Sequence, residues 1–164
     1  MKKIITYAGV LTFAVMLSIP GYTQISGLSG RWQLDRSKST QLDYFPTLVK
    51  LLIKVQGDSL LTERTYESGD GQEYPFNENV SLDGKEYKIT IYDMPRVSKA
   101  IWLDSDSILS VESVTTFYGS NGPEDFKTRE AWKVDKTNRI LTISFTNNTS
   151  MGESTGAWVF NRVE

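Results

Sequence analysis

The sequence predicts an all-β protein, a single antiparallel up-and-down (meander) β-barrel of about eight to ten short strands. Three observations predict it. Apolar and polar residues alternate over short runs, the period of a half-buried strand. Nearly every run is bounded by Gly, Asp, Asn or Pro. Most connections are short enough for consecutive strands to pair, and full closure removes exposed sheet edges. No helical period is sustained; the pattern admits one short helix near residue 48. A β-sandwich is the alternative arrangement.

The barrel domain is expected at residues 24–164, behind a leader. Residues 1–23 read as a secretory signal peptide. Lys2 and Lys3 form a positive start, residues 4–19 are mostly apolar and uncharged, and Pro20-Gly21 breaks the run. Gly21 and Thr23 offer the small residues a signal peptidase reads, which places cleavage before Gln24. The apolar run is shorter than the ~20 residues needed to cross a bilayer. A membrane anchor is the alternative; with the leader removed, no span remains. The short Lys-Lys start suggests a bacterial exported protein, periplasmic or extracellular.

Within the domain, Gly30-Arg31-Trp32-Gln33-Leu34 opens the first strand, with Trp32 and Leu34 on one face. Residues 35–39 are a charged exit and residues 41–46 a loop, with Tyr44 and Phe45 against the body. Residues 48–55 fit a short helix or a buried strand. Gly57-Asp58 followed by alternation over 60–66 favours a hairpin. Residues 68–72 form a turn and 76–82 a modest strand. Asp83-Gly84 is a two-residue hairpin signal, and Tyr87, Ile89 and Ile91 share a face opposite Glu86, Lys88 and Thr90. Asp93-Met94-Pro95 reads as a turn. Strands follow at 97–103 and 108–118, a loop at 119–125, strands at 126–134 and 140–146, a polar loop at 147–156, and a closing strand at 157–163.

Composition limits the chemistry. Neither cysteine nor histidine occurs. Disulfides, thiolate nucleophiles, cysteine-ligated zinc and histidine as base, metal ligand or haem ligand are therefore excluded. The net charge is −2, and −4 once Lys2 and Lys3 leave with the leader. That mildly acidic surface argues against nucleic acid. No phosphate-cradling loop, nucleophile elbow or zinc spacing is present, and no cofactor, metal or catalytic residue is assigned. Asp104 and Asp106 share a turn, a common turn composition and a weak calcium signal.

Gly30-x-Trp32 after a leader resembles the Gly-x-Trp motif of the lipocalins. The longer segment Gly30-Arg31-Trp32-Gln33-Leu34-Asp35-Arg36-Ser37-Lys38-Ser39 is similar to the opening of small exported bacterial lipocalin-like proteins, of the calycin superfamily. The likeness continues loosely in Asp83-Gly84-Lys85-Glu86-Tyr87 and Trp158-Val159-Phe160-Asn161-Arg162. It implies a calycin-type barrel with a cavity at one end and Trp32 near the other. It also implies that Arg162 packs on Trp32, so that Gly30, Trp32 and Arg162 form a structural plug. The chain departs from the animal secreted lipocalins in lacking a disulfide and their further motifs.

Candidate ligand-binding residues come from two strands. Thr128, Glu130 and Trp132 share a face with Phe126 and Val134; inward, Glu130 could orient a ligand's polar head or act as a base. Arg64 and Tyr66 share a face with Thr62; inward, Arg64 could grip a ligand carboxylate and Tyr66 could stack or donate. Outward, each face is ordinary solvated surface, and inward Arg64 and Glu130 could instead pair with each other. Tyr87, Trp102, Phe117, Trp132, Phe145 and Trp158 are expected in the core, and so many rings could fill the barrel. The expected function is binding of a small hydrophobic or amphipathic ligand without catalysis. The alternative is an envelope protein-interaction or inhibitor barrel working through its loops. An enzyme resting on Glu130 with Tyr or Arg partners is the least favoured class.

Overall fold

Alternation becomes ten strands in one antiparallel sheet: β1 (Gly30–Leu34), β2 (Thr47–Gln56), β3 (Ser59–Glu67), β4 (Glu73–Ser81), β5 (Tyr87–Ile91), β6 (Met94–Leu103), β7 (Ile108–Gly119), β8 (Gly122–Asp135), β9 (Ile140–Thr149) and β10 (Gly152–Val163). The computed structural model describes residues 27–42, 46–103, 107–120, 122–135, 137 and 139–164. The expected leader, Tyr44 and Phe45, and Asp104 and Asp106 lie outside the described residues. The strand order is β4-β3-β2-β1-β10-β9-β8-β7-β6-β5. Consecutive strands pair, and β1 and β10 join the two halves, so the sheet curls into a nearly closed barrel. Among the described residues no helix is long and apolar enough to cross a membrane.

The one break in the meander falls at Asp83-Gly84, where the sequence suggests a tight hairpin. The turn forms, with φ of 75° at Gly84, but β4 and β5 do not pair. The Leu82 amide donates to the Asp58 carbonyl at 2.8 Å, and the Gly84 amide donates to the Ala100 carbonyl at 3.0 Å. Asp83 makes an isolated bridge to Ile101. The turn thus hands the chain from the β3 side to the far end of β6 instead of folding it back along β4. From there β5 returns beside β6 through Tyr92 and Asp93, whose φ values of 47° and 66° suit a tight two-residue turn.

Residues 48–55 lie in strand β2, the favoured of the two sequence alternatives. Three boundaries differ from the sequence reading. Met94 and Pro95 belong to β6; pairing with β7 starts only at Arg96, so the missing amide of Pro95 costs no bond on that side. Residues 122–125 belong to β8. The polar stretch 147–156 is mostly strand, turning only at Ser150 and Met151. Its polarity reflects position: Asn147 pairs with Thr128 and Ser154 near the barrel mouth, where the inward face meets a cavity instead of a packed core.

The core fills the end of the barrel opposite that mouth. Trp32, Leu51, Ile53, Leu109, Trp132 and Phe160 are each at most 2% exposed and belong to one apolar cluster. Trp32 donates its indole N–H to the Leu28 carbonyl at 2.9 Å. Arg162, its cross-strand partner, places its guanidinium carbon 5.2 Å from the indole centroid and also donates to the Ser29 carbonyl. Gly30 leaves room for that side chain, since a Cβ there would meet the guanidinium at 2.8 Å.

Candidate functional site: an aromatic cup over a charged floor

The inward face of each long strand changes character along its length. On β8, Glu124 is exposed, then Phe126, Thr128, Glu130 and Trp132 follow inward, with Glu130 4% and Trp132 1% exposed. On β4 the same face runs Tyr74, Phe76, Glu78, Val80. On β3 it runs Tyr66, Arg64, Thr62, Leu60, and on β6 Met94, Arg96, Ser98, Ala100. A layer of charged and hydroxyl side chains therefore separates the solid apolar end from an open end lined by rings.

The open end is a cavity of about 690 Å³. Its walls include Tyr66, Phe76, Tyr92, Phe126 and Trp158; Glu130, Arg96, Ser113, Thr115, Thr128 and Asn147 supply the polar lining. Tyr66 stacks on Phe76 at 5.9 Å between centroids and meets the edge of Trp158 at 6.2 Å. Burial is the largest influence on the Tyr66 phenol and raises its pKa. Phe117, expected in the core, is 42% exposed at the mouth, because β7 extends beyond the packed region. The rings thus fill only half the barrel.

The floor is a four-charge network. Arg64 Nη1 donates to both Glu130 oxygens, at 2.8 and 3.1 Å, and the Trp132 indole N–H donates to Glu130 Oε2 at 2.8 Å. The Arg64 guanidinium carbon lies 5.1 Å from the Trp132 ring centroid, and its Nε lies 3.5 Å from Glu78 Oε2. Arg96 donates from Nε to Glu78 Oε1 at 2.8 Å and from Nη1 to Thr115 Oγ1 at 3.1 Å. The Ser98 hydroxyl also donates to Glu78. Each carboxylate thus has a guanidinium partner, which is what lets these charges persist away from water. Burial is the largest single influence on Arg64 and opposes its charge, but Glu130, Tyr66 and Glu78 together outweigh it and the pKa stays raised.

Glu78 has a second role, because it lies on β4 while Arg96 and Ser98 lie on β6. Its contacts bridge the seam where the sheet has no ladder. Above it, the Tyr92 hydroxyl donates to the Pro75 carbonyl at 2.6 Å, and the rings of Tyr74 and Tyr92 meet edge to face at 6.2 Å. Burial alone would raise the Glu78 pKa; Arg64 and Arg96 outweigh it and pull the carboxyl from the ordinary 4.5 down to about 2. Its contribution to stability is thus full above the ordinary value and is lost as pH falls toward 2. That downward shift corresponds to at most about 3 kcal/mol. Urea denaturation across this range is expected to show stability falling with acid, with the slope reduced in Glu78→Gln. Some slope remains, because hydrogen bonds from Ser37 and Lys38 hold surface Asp35 at about 2 as well. An unchanged slope in the variant would refute this role for Glu78.

Of the sequence candidates, Tyr66, Thr128 and Glu130 line the cavity. Arg64 and Trp132 lie beneath it, each 1% exposed and bonded to Glu130. Arg64 and Glu130 point inward and pair with each other. Sequence reasoning missed Glu78, Arg96, Ser98 and Thr115. The signal for Glu78 is its two-residue spacing from Phe76 and Val80; a turn at residues 93–95 hides Arg96, which lies in β6. Both Glu130 oxygens are taken by donors, and among the described residues no three His, Cys, Asp or Glu side chains gather to hold a metal ion. No protein-family model matches the chain, and no curated protein matches it.

Proposed function

We propose that this barrel is a non-catalytic carrier, of lipocalin-like type and exported to the periplasm or beyond the cell, that holds a small hydrophobic or amphipathic ligand. The observation that carries this reading is the cavity: about 690 Å³, open at one end, with apolar rings above a polar floor. Ligand sites are typically concave, mostly apolar, and marked by a few fixed polar groups. The Gly30-x-Trp32 opening and the packing of Arg162 on Trp32 support the lipocalin-like part. Export rests on the leader, and a mature mass beginning at Gln24 is its check; a chain retaining Met1 would remove it.

In this reading Tyr66 and Trp158 contact the ligand, Thr128 and Glu130 face its polar part, and Arg64 and Trp132 hold Glu130 in place. Trp158 lies in the cavity wall and serves as a reporter. A neutral fluorescent probe such as phenylnaphthylamine is expected to brighten on binding and to perturb tryptophan emission. Thr128→Trp, which places an indole in the cavity, is expected to abolish binding while leaving the barrel folded. Full probe uptake by that variant would place the ligand elsewhere. A folded parent that takes up no probe would remove the carrier reading and leave the exposed rim residues Tyr92, Phe117, Tyr118 and Met151 as the working surface for a protein partner.

A further inference from the structure

The charge and hydrogen-bonding balance of the floor narrows the ligand class. Arg64 is matched by Glu130 and Arg96 by Glu78, so the four groups sum to zero. No excess positive charge awaits an incoming anion. Among the described residues Arg96 is the only cation lining the cavity, whereas Glu124 and Asp125 add negative charge near its mouth. An anionic head would therefore pass acidic side chains to reach a floor already neutral, and would lose its hydration without a counter-ion.

The unused groups are donors. Three nitrogens of Arg96 each direct one N–H to Glu78 or Thr115, which leaves one N–H on each terminal nitrogen without a partner among the described residues. The Trp158 indole N–H also has no acceptor among the described residues, but its nitrogen is closed off from the cavity, so the donors open to a ligand are those of Arg96. Buried donors left without acceptors are costly, so a ligand that supplies an acceptor is favoured. On β3, β4 and β8 the rings of Tyr66, Phe76 and Phe126 lie one inward step nearer the mouth than Arg64, Glu78 and Thr128, which directs the polar head inward and the apolar body toward the mouth.

Resting on the carrier reading, we infer that the cavity selects uncharged amphipaths whose head accepts hydrogen bonds, such as esters, ketones or amides, and discriminates against carboxylate anions of the same chain length. The titratable groups lining the cavity are Glu130 from β8, Tyr66 from β3, Arg96 from β6, Tyr74 from β4 and Tyr92, with Glu124 and Asp125 near the mouth; Arg64 and Glu78 lie beneath them. The test is displacement of phenylnaphthylamine from the full chain by methyl dodecanoate and by dodecanoic acid. At about pH 8, where the acid is ionised, the ester is expected to bind at least about tenfold more tightly, since the anion must be buried unpaired. The gap should narrow as the pH is lowered toward the acid's own pKa, because the neutral acid is itself an acceptor.

Glu130→Gln removes one negative charge and leaves the floor with one excess positive charge, Arg64 and Arg96 sharing Glu78 alone. In that variant the acid should gain on the ester at the higher pH. If the variant fails to fold, the comparison in the unaltered protein decides alone. Equal or tighter binding of the carboxylate at the higher pH would overturn this inference and leave the carrier reading standing. Probe binding that neither compound displaces would overturn it as well, and failure of the probe itself to bind would remove both readings.

Discussion

Glu78→Ala is expected to destabilise the protein by about 3–5 kcal/mol, the range for removing one partner of a buried ion pair. Glu78 is 4% exposed and faces Arg64, Arg96 and Ser98. Its loss leaves two guanidinium groups in the barrel with one carboxylate between them. It also removes the ion pair and hydrogen bonds that tie β4 to β6 where no backbone ladder exists, leaving Arg96 over the Phe76 ring. Elsewhere a lost side chain leaves the main-chain bonds of its strand intact; at this seam there are none to fall back on. The effect should therefore exceed that of Glu130→Ala, whose partners lie between strands already joined through the continuous sheet. Urea unfolding gives the midpoint and slope for each variant. Hydrogen exchange should show the largest loss of protection in β4 and β5, the two strands that end the sheet order. A midpoint within error of the parent, or loss of protection spread evenly over all strands, would show that the seam does not depend on Glu78.

Trp32→Ala is expected to cost about 3–5 kcal/mol, as a large-to-small change in a packed core. Trp32 is 1% exposed, bonds to the Leu28 carbonyl and lies under the Arg162 guanidinium. The variant loses the indole's packing, its hydrogen bond and the face on which Arg162 rests. Arg162→Ala should cost less, about 0.5–2 kcal/mol for the cation–π contact plus some covered apolar surface. The double variant should cost less than the sum of the singles, because the two side chains share one contact. Ligand uptake by the folded fraction should be unchanged, since Trp32 lies at the opposite end of the barrel from the cavity. Parent-like thermal unfolding of Trp32→Ala would refute the plug.

Much of the fold was legible because strands in a barrel repeat every two residues and end at turn-forming residues. Residues 87–91 and 126–134 show this plainly, and each lies in a strand with one face more buried than the other. Gly57-Asp58 marked the hairpin between β2 and β3. Polar composition by itself suggests a loop, and at the barrel mouth that expectation does not hold. Residues 147–149 and 152–156 are polar yet paired, because near the mouth neither face of the sheet meets a core. Alternation also sorts residues into two faces without saying which is inside. For Thr62, Arg64 and Tyr66 that choice needed the curl of the whole sheet.

The candidate site was less legible, for a related reason. Arg64 and Glu130 are 66 residues apart, Glu78 and Arg96 18 apart, and neither pair has a local spacing that announces it. Taken singly, each is a charged residue in a strand and belongs in water. Only together can they neutralise one another away from solvent. The sequence by itself determined the all-β class, the antiparallel meander, most of the turns and the Gly30-x-Trp32 entry, because these depend on local periodicity and backbone preference. Only the tertiary structure decided where the sheet fails to close, which charges meet inside it and how much of its interior stays empty, because these depend on contacts between strands distant in the chain.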